Sequence, residues 1–278
     1  MVEKSRAFAP GNISCVFKIV AHPDPTKMHS LGMGFTVREG VVATVSRDSR
    51  TVVEFNGEEV AFPTVAAVVE KLTPLPVRVE LESPLPLSCG FGLSGASALA
   101  TAYAVDALLG LEREEEQLAM SAHVAEGENL SGLGDVCAQY HGGCLVKLRE
   151  GHPLAAEPLP VGEQPIFYRY FSPIHTREVL KDPRQKERIN KAAERALVDI
   201  QTSMKAGKID FAAYIKISKL FAINSRLLRD QQVQQIIQQV EDARGSASMI
   251  MLGNAVFSTQ HFATAQETRL VQHRVRVL

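Results

Sequence analysis

The chain has 278 residues, the size of one large domain or two small ones, with 30 Lys+Arg against 31 Asp+Glu and a formal charge of −1. That balance excludes the electrostatic footprint of a nucleic-acid binder or of a protein held on an anionic membrane, and 45% hydrophobic residues suffice for a sizeable core. Cys15, Cys89, Cys137 and Cys144 form no C-x-x-C pair, which argues against a zinc cage or disulfide framework and predicts free thiols in a reducing cytosol.

The opening residues MVEKSRAFAPGN carry no apolar run of the secretory kind, so a cytoplasmic protein is expected. Arg6–Phe8 reads as a short strand and Ala9-Pro10-Gly11-Asn12 as a turn. His22–Gly34 reads as a polar loop ending in Gly32 and Gly34. Val41–Ser46 is a β-branched strand. Thr51–Phe55 and Glu58–Phe62 flank Asn56-Gly57, a strong hairpin signal. Thr64–Leu72 reads as a helix stopped by Thr73-Pro74. In Val77–Glu82, Val77, Val79 and Leu81 alternate with Arg78, Glu80 and Glu82, the pattern of a strand.

Ser83–Val105 carries no charge over 23 residues, but Pro84, Pro86, Gly90, Gly92 and Gly95 break any lipid-facing helix, so no membrane span is expected. Helices are predicted over Ala96–Leu109 and Glu114–Glu126, and a short one over Val136–His141. Prolines and glycines between Glu150 and Pro165 mark a boundary, giving domains 1–155 and 156–278. Beyond it, Ile166–Phe171 reads as a strand, followed by helices over Pro183–Ala206, Phe211–Ala222 and Asp230–Arg244. Ser248–Phe257 reads as one buried strand and Gln272–Leu278 as a terminal one. Strands and helices do not alternate regularly, so the fold class is α+β in two domains rather than a doubly wound sheet.

Two segments carry chemistry. In Gly90-Phe91-Gly92-Leu93-Ser94-Gly95-Ala96-Ser97, glycines admit close backbone approach and small residues open a helix. The unpaired N–H groups and positive dipole end of such a helix make a phosphate site; a tight turn before a buried helix is the plainer alternative. No G-x-x-x-x-G-K-[ST] is present, which excludes a P-loop. The literal G-x-G-x-x-G at Gly90–Gly95 suits a dinucleotide site poorly, because seven residues including two prolines separate Glu82 from Gly90. The second segment, His123 to Gly143, places Glu126, Glu128 and Asp135 around a glycine-bearing loop. Carboxylates beside a phosphate loop suit Mg²⁺, or accept a substrate proton. Asp135 as a helix cap and Glu126 as a solvated helix end are the plainer readings.

Taken together, these segments resemble the GHMP superfamily of small-molecule kinases. Ala9-Pro10-Gly11 resembles its first motif, Pro86–Ala98 its phosphate loop, and Asp135 with Gly142-Gly143 the region of its catalytic aspartate. Within it the sequence is most similar to the archaeal pantoate kinases, through His22-Pro-Asp-Pro, Ser30-x-Gly32-x-Gly34, and Gly132-Leu-Gly134-Asp135-Val with Gln139. Gly245–Phe257 takes the place of the third motif, and the metal-binding serine position of the loop falls on Ala96, between Ser94 and Ser97.

The resemblance implies a two-domain α+β kinase with ATP between the lobes, transferring phosphate from ATP to the hydroxyl of pantoate on the way to coenzyme A. Gly90–Ser97 would then cradle the nucleotide phosphates. Glu126, with Glu128 in reserve, would hold Mg²⁺ together with Ser94 or Ser97, and Asp135 would orient or deprotonate the acceptor. Ser30, Gly32, Gly34 and His123 would shape the acceptor site, and Lys18, Lys147 or Arg149 would meet the carboxylate. A homodimer is compatible with it. A mevalonate or homoserine acceptor, and a non-catalytic nucleotide-binding module on the same fold, stay open.

Overall fold

The structure, a computed structural model, describes residues 3–206 and 210–278. Its backbone is a twelve-stranded sheet with helices packed on it, the α+β class expected. β1 (Lys4–Val20) and β2 (His29–Arg47) pair antiparallel along almost their full lengths. Two expectations change here: Ala9–Asn12 is not a turn, and Ser30–Gly34 lies in β2 rather than in a loop. Proline cannot donate to the ladder, and the register shifts between Pro10 and Gly11, so a sequence that reads as a turn becomes a bulge. Gly32 and Gly40 belong to the same pairing: a Cβ at Gly32 would lie 1.9 Å from Val16 O, and one at Gly40 2.1 Å from Ala9 O.

β3 (Val52–Phe55) and β4 (Glu58–Glu59) form the expected hairpin, with φ of 51° at Asn56 and 84° at Gly57, as a primed turn requires. The second arm is shorter than read, because residues 60–62 leave the sheet to enter α1 (Pro63–Leu72). α1 crosses to β5 (Val77–Glu82), which runs parallel to β3 and antiparallel to β2.

α2 (Leu93–Leu109) lies across β1 and β2, buried on nearly every side. Small residues at Ala98, Ala100, Ala102 and Ala104 let it sit close. It starts three residues before the predicted Ala96, because Gly92 adopts the left-handed conformation and ends the loop there. α3 (Glu115–Asn129) opens with a capping box between Glu114 and Gln117 and runs on to Asn129. α4 (Asp135–His141), β6 (Cys144–Lys147) and β7 (Glu157–Leu159) follow.

β8 (Gln164–Pro173), α5 (Thr176–Lys181), α6 (Pro183–Lys205), α7 (Phe211–Asn224) and α8 (Gln231–Asp242) come next. Asp182, Asp210 and Asp230 cap the last three helices through backbone N–H groups. The run read as one strand, Ser248–Phe257, is instead a hairpin of β9 (Ala247–Met249) and β10 (Gly253–Ser258), with Met249 opposite Val256. β11 (Gln266–Leu270) was not legible as a strand, and of Gln272–Leu278 only β12 (Arg276–Val277) pairs. β11 meets β2 at Leu270 and Val37 and continues the sheet through β8 and β10. All four cysteines are free and buried, and among the described residues no helix is long and apolar enough to cross a membrane.

Candidate active site

The bulge in β1 frees the Asn12 N–H from the β2 ladder, and it donates to Phe91 O at 2.9 Å. That bond fixes the Pro/Gly-rich loop ahead of α2 against the sheet. Gly90 has φ 88°, and a Cβ there would lie 2.7 Å from Met251 O; a Cβ at Gly253 would lie 2.1 Å from Cys89 O. The β9–β10 turn is thus pressed onto the loop. The segment expected to replace the third glycine-rich motif does reach the site, through Met251 and Leu252.

Between these parts opens a cavity of about 400 Å³. One wall is the loop and first turn of α2, Gly90–Ser94; another is apolar, with Val60, Ala61, Phe62 and Leu87. Ser131–Asp135 close the floor, and His175, Thr176 and Arg177 enter from the later half of the chain. Among the described residues Arg177 is the only Arg or Lys on the lining, and no motif in the sequence pointed to it.

Of the predicted phosphate-loop residues, Gly90, Phe91, Gly92, Leu93 and Ser94 line the cavity. Gly95 stands just behind them, and Ala96 and Ser97 lie off the lining. With Gly92 as N-cap, the N–H groups of Leu93, Ser94 and Gly95 are those α2 leaves unused, whereas Ala96 N already donates to Gly92 O at 3.0 Å. Ser97 is fully buried a turn deeper, its hydroxyl unpartnered and away from the cavity.

Asp135 is the first residue of α4, but its side chain caps nothing. Oδ1 instead accepts from Asn12 Nδ2 at 2.7 Å. A Cβ on Gly92 would lie 3.0 Å from the Asp135 carboxyl, so the glycine is what lets the loop reach this acid. Burial raises the Asp135 pKa, and hydrogen bonds from Asn12 and Ser14 work against that rise.

Glu126 is not a solvated helix end. It is 1% exposed and sits just behind the cavity wall. Its Oε1 accepts from Ser131 Oγ at 3.3 Å, Ser131 Oγ meets Thr64 Oγ1 at 3.0 Å, and Ser94 Oγ donates to Thr64 at 3.4 Å. A hydroxyl chain therefore runs from the loop to this carboxylate. Glu126 Oε2 has no partner among the described residues. Burial, then the charge of Asp135, raises the Glu126 pKa, while Ser131 and Ser94 lower it. Among the described residues no third His, Cys, Asp or Glu joins the two acids in a metal-binding group. Glu128 points elsewhere, into an ion pair with Lys71 at 2.8 Å.

A second cavity of about 50 Å³ adjoins the first and shares Ser14, Phe17, Ser30 and Gly134 with it. Gly32, Gly34 and Lys147 line this smaller space. His123 lines neither: it is buried on α3, its Nε2 bonded to Met28 O at 2.8 Å, and burial lowers its pKa to about 4. It anchors the loop before β2. Lys18 is paired with Glu194 at 3.0 Å and Arg149 is exposed, so of the three cations considered only Lys147 reaches the site. Its Nζ donates to His152 O at 2.5 Å and Pro153 O at 3.0 Å.

The model of the GHMP kinases N terminal domain matches residues 60–143, which hold α1, the loop, α2 and both acids. The pantoate kinase of Methanocaldococcus jannaschii is 28% identical over 94% of this chain and 94% of its own. That of Thermococcus kodakarensis is 29% identical over 95% and 90%. A solved structure described as a phosphotransferase related to the coenzyme A biosynthesis pathway superposes with a TM-score of 0.85 at 25% identity, covering 99% of this chain and 98% of the other. A glycine-opened helix with two buried acids beside it, matched by relatives along nearly the whole length, places the chain in the GHMP kinase superfamily.

Proposed function

We propose that this chain is a pantoate kinase, transferring the γ-phosphoryl group of ATP to the hydroxyl of pantoate. The observation that carries this is the approach of Asp135 to the α2 N-terminus: a base and a phosphate cradle meet across Gly92, where a Cβ would lie 3.0 Å from the carboxyl. The relatives named pantoate kinase supply the acceptor.

The N–H groups of Leu93, Ser94 and Gly95, with the dipole of α2, bind the nucleotide phosphates. Val60, Ala61, Phe62 and Leu87 offer the base an apolar wall. The pantoate carboxylate lies toward Lys147 in the smaller cavity, which brings its hydroxyl past Ser30 toward Asp135. Asp135 takes the hydroxyl proton as the oxygen bonds to the γ-phosphorus, and the bond to the β-phosphate oxygen breaks to release ADP. Phosphoryl transfer asks mainly for positioning and charge neutralisation, which these groups provide.

Mg²⁺ fits the acids: Glu126 Oε2 is an orphaned buried oxygen, and the Ser94 hydroxyl stands at the near end of the Ser94–Thr64–Ser131 chain. Bound there, the ion would neutralise phosphate charge. Ser97 plays no part in this reading. The chain divides near residue 155, with the later half contributing Arg177, Met251 and Leu252 to the nucleotide cavity.

The test is ADP release from ATP and Mg²⁺ with pantoate, mevalonate, homoserine, galactose or no acceptor. Turnover with pantoate alone is the expected result. Turnover with another acceptor keeps the kinase and discards the acceptor. ATP binding without turnover makes the chain a nucleotide-binding module.

A further inference from the structure

Gln139 lies one turn after Asp135 on the same face of α4 and is fully buried. Its Nε2 donates to Gly92 O at 2.8 Å, the same carbonyl that takes the first helical bond of α2 from Ala96 N at 3.0 Å. Gly92 is the left-handed residue whose conformation decides where the free N–H groups of α2 point. The other end of the amide is unsatisfied: Gln139 Oε1 has no partner among the described residues. It stands 2.9 Å from the point a Gly95 Cβ would occupy, and Glu126 Oε2, also unpartnered, stands 3.0 Å from that same point.

We propose that Gln139 is a positioning residue for the nucleotide site, pinning the Gly92 carbonyl so that the phosphate cradle and Asp135 are held in one register. This rests on the kinase reading above. A glutamine kept for fold stability would satisfy both ends of its amide, because a buried acceptor left without a donor destabilises the folded state. Here only the end that holds Gly92 is satisfied. The residue type also answers to its surroundings. A lysine would pair with Glu126 or Asp135 and remove a charge the site uses. A glutamate would place a third carboxylate beside them and repel the Gly92 carbonyl. A neutral amide supplies a donor without either effect, and Gly92 and Gly95 leave the room for it.

The experiment compares wild type with Gln139→Met, which keeps the length of the side chain and lacks the donor and the orphaned acceptor. ADP affinity is measured by calorimetry, steady-state kinetics with ATP and pantoate, and thermal unfolding without ligand. The expected result is a split: ADP bound at least fivefold more weakly, KM for ATP raised to match, KM for pantoate within twofold of wild type, and an unfolding midpoint no lower than wild type. Unchanged ADP affinity, or a lowered midpoint with every kinetic constant scaling by the folded fraction, would overturn the proposal. Gln139→Asn, one methylene too short to reach Gly92, guards against a variant that fails to fold. It is expected to lose ADP affinity equally, and wild-type affinity in it would also overturn the role. Wild type that binds no ADP would instead overturn the kinase reading, and this inference with it.

Discussion

Asn12 Nδ2 donates to Asp135 Oδ1 at 2.7 Å, joining the bulged first strand to a helix 123 positions later. The bond aims the carboxylate and favours its ionised form, against the burial that raises its pKa. Asp135→Asn should therefore lower kcat by about 10²–10⁴-fold, the usual worth of a positioned general base, with ADP affinity little changed. Full activity in that variant would remove Asp135 from the chemistry.

Asn12→Ala tests the same bond from its other end. Loss of the donor leaves only the Ser14 hydroxyl opposing burial, so the Asp135 pKa rises further and the acid limb of the kcat profile moves to higher pH. Activity lost near neutrality should return as the pH is raised. A limb that stays in place would mean that Asn12 only packs.

Glu126 makes the empty protein sensitive to alkali. Burial lifts its pKa from the ordinary 4.5 to about 8, so the folded state holds its proton more tightly than the unfolded chain does. Stability from this group is fully present below 4.5 and is lost as pH rises through about 8. His123, lowered from 6.5 to about 4, acts in the opposite direction but only below 6.5. Between about pH 6.5 and 8, wild type should thus lose up to roughly 1.4 kcal/mol per pH unit, and Glu126→Gln should flatten that slope. Unfolding midpoints measured across that window decide it; equal slopes would place the Glu126 titration elsewhere.

How much of this was legible depended on whether the signal was local. Val77–Glu82 came out as β5 because alternation alone sets a half-buried strand, and α1 because Pro74 bounds it. Pro10-Gly11 misled, since a turn and a bulge share the same local chemistry and only pairing with β2 separates them. Ser248–Phe257 hid its hairpin because the turn is made by apolar residues: Leu252 takes φ 63° and Gly253 is forced by Cys89 O. In the site, residue type and spacing mark a glycine-rich loop with carboxylates nearby, and the structure brings Asp135 and that loop onto one cavity; the role of each comes from the family resemblance. Arg177 was not readable, because it reaches the cavity from a segment with no motif. His123 was read as an acceptor-site residue, but its ring is spent on the Met28 carbonyl.

Gly95→Ala separates fold from function at one position. The substitution should favour α2 by up to about 1 kcal/mol, since alanine is the better helix former. Its Cβ would come 2.9 Å from Gln139 Oε1 and 3.0 Å from Glu126 Oε2, tight enough that both must give by a few tenths of an ångström. The expected outcome is an unfolding midpoint close to wild type with ADP affinity reduced. Unimpaired binding would show that Glu126 and Gln139 can retreat without consequence.

Among the described residues Arg177 brings the only Arg or Lys charge to the larger cavity, the proposed nucleotide site, whose lining also holds Asp135. Its side chain is exposed, so its effect should be electrostatic and screened by salt over about 8 Å at physiological ionic strength. Arg177→Ala is expected to lower kcat/KM for ATP by about tenfold at low salt, and by less at high salt. A loss independent of salt would point to a direct, desolvated contact with the phosphates.

Lys147 is 9% exposed, and burial lowers its pKa, yet no carboxylate pairs with it among the described residues. Two of its three N–H groups are committed to His152 O and Pro153 O, which hold the ammonium at the edge of the smaller cavity and leave one donor for an anion. A charge-assisted bond to the pantoate carboxylate there would contribute about 1.5–3 kcal/mol, or roughly 10- to 150-fold in affinity. Lys147→Met should accordingly raise KM for pantoate by that factor and leave KM for ATP within twofold. The acceptor can be changed instead of the enzyme: with the carboxylate of pantoate replaced by its amide, wild type should lose the same factor and Lys147→Met should lose almost nothing further. The coupling of the two changes measures the contact itself. Additive losses would mean that Lys147 supports the His152–Pro153 turn and that the carboxylate is read by another group.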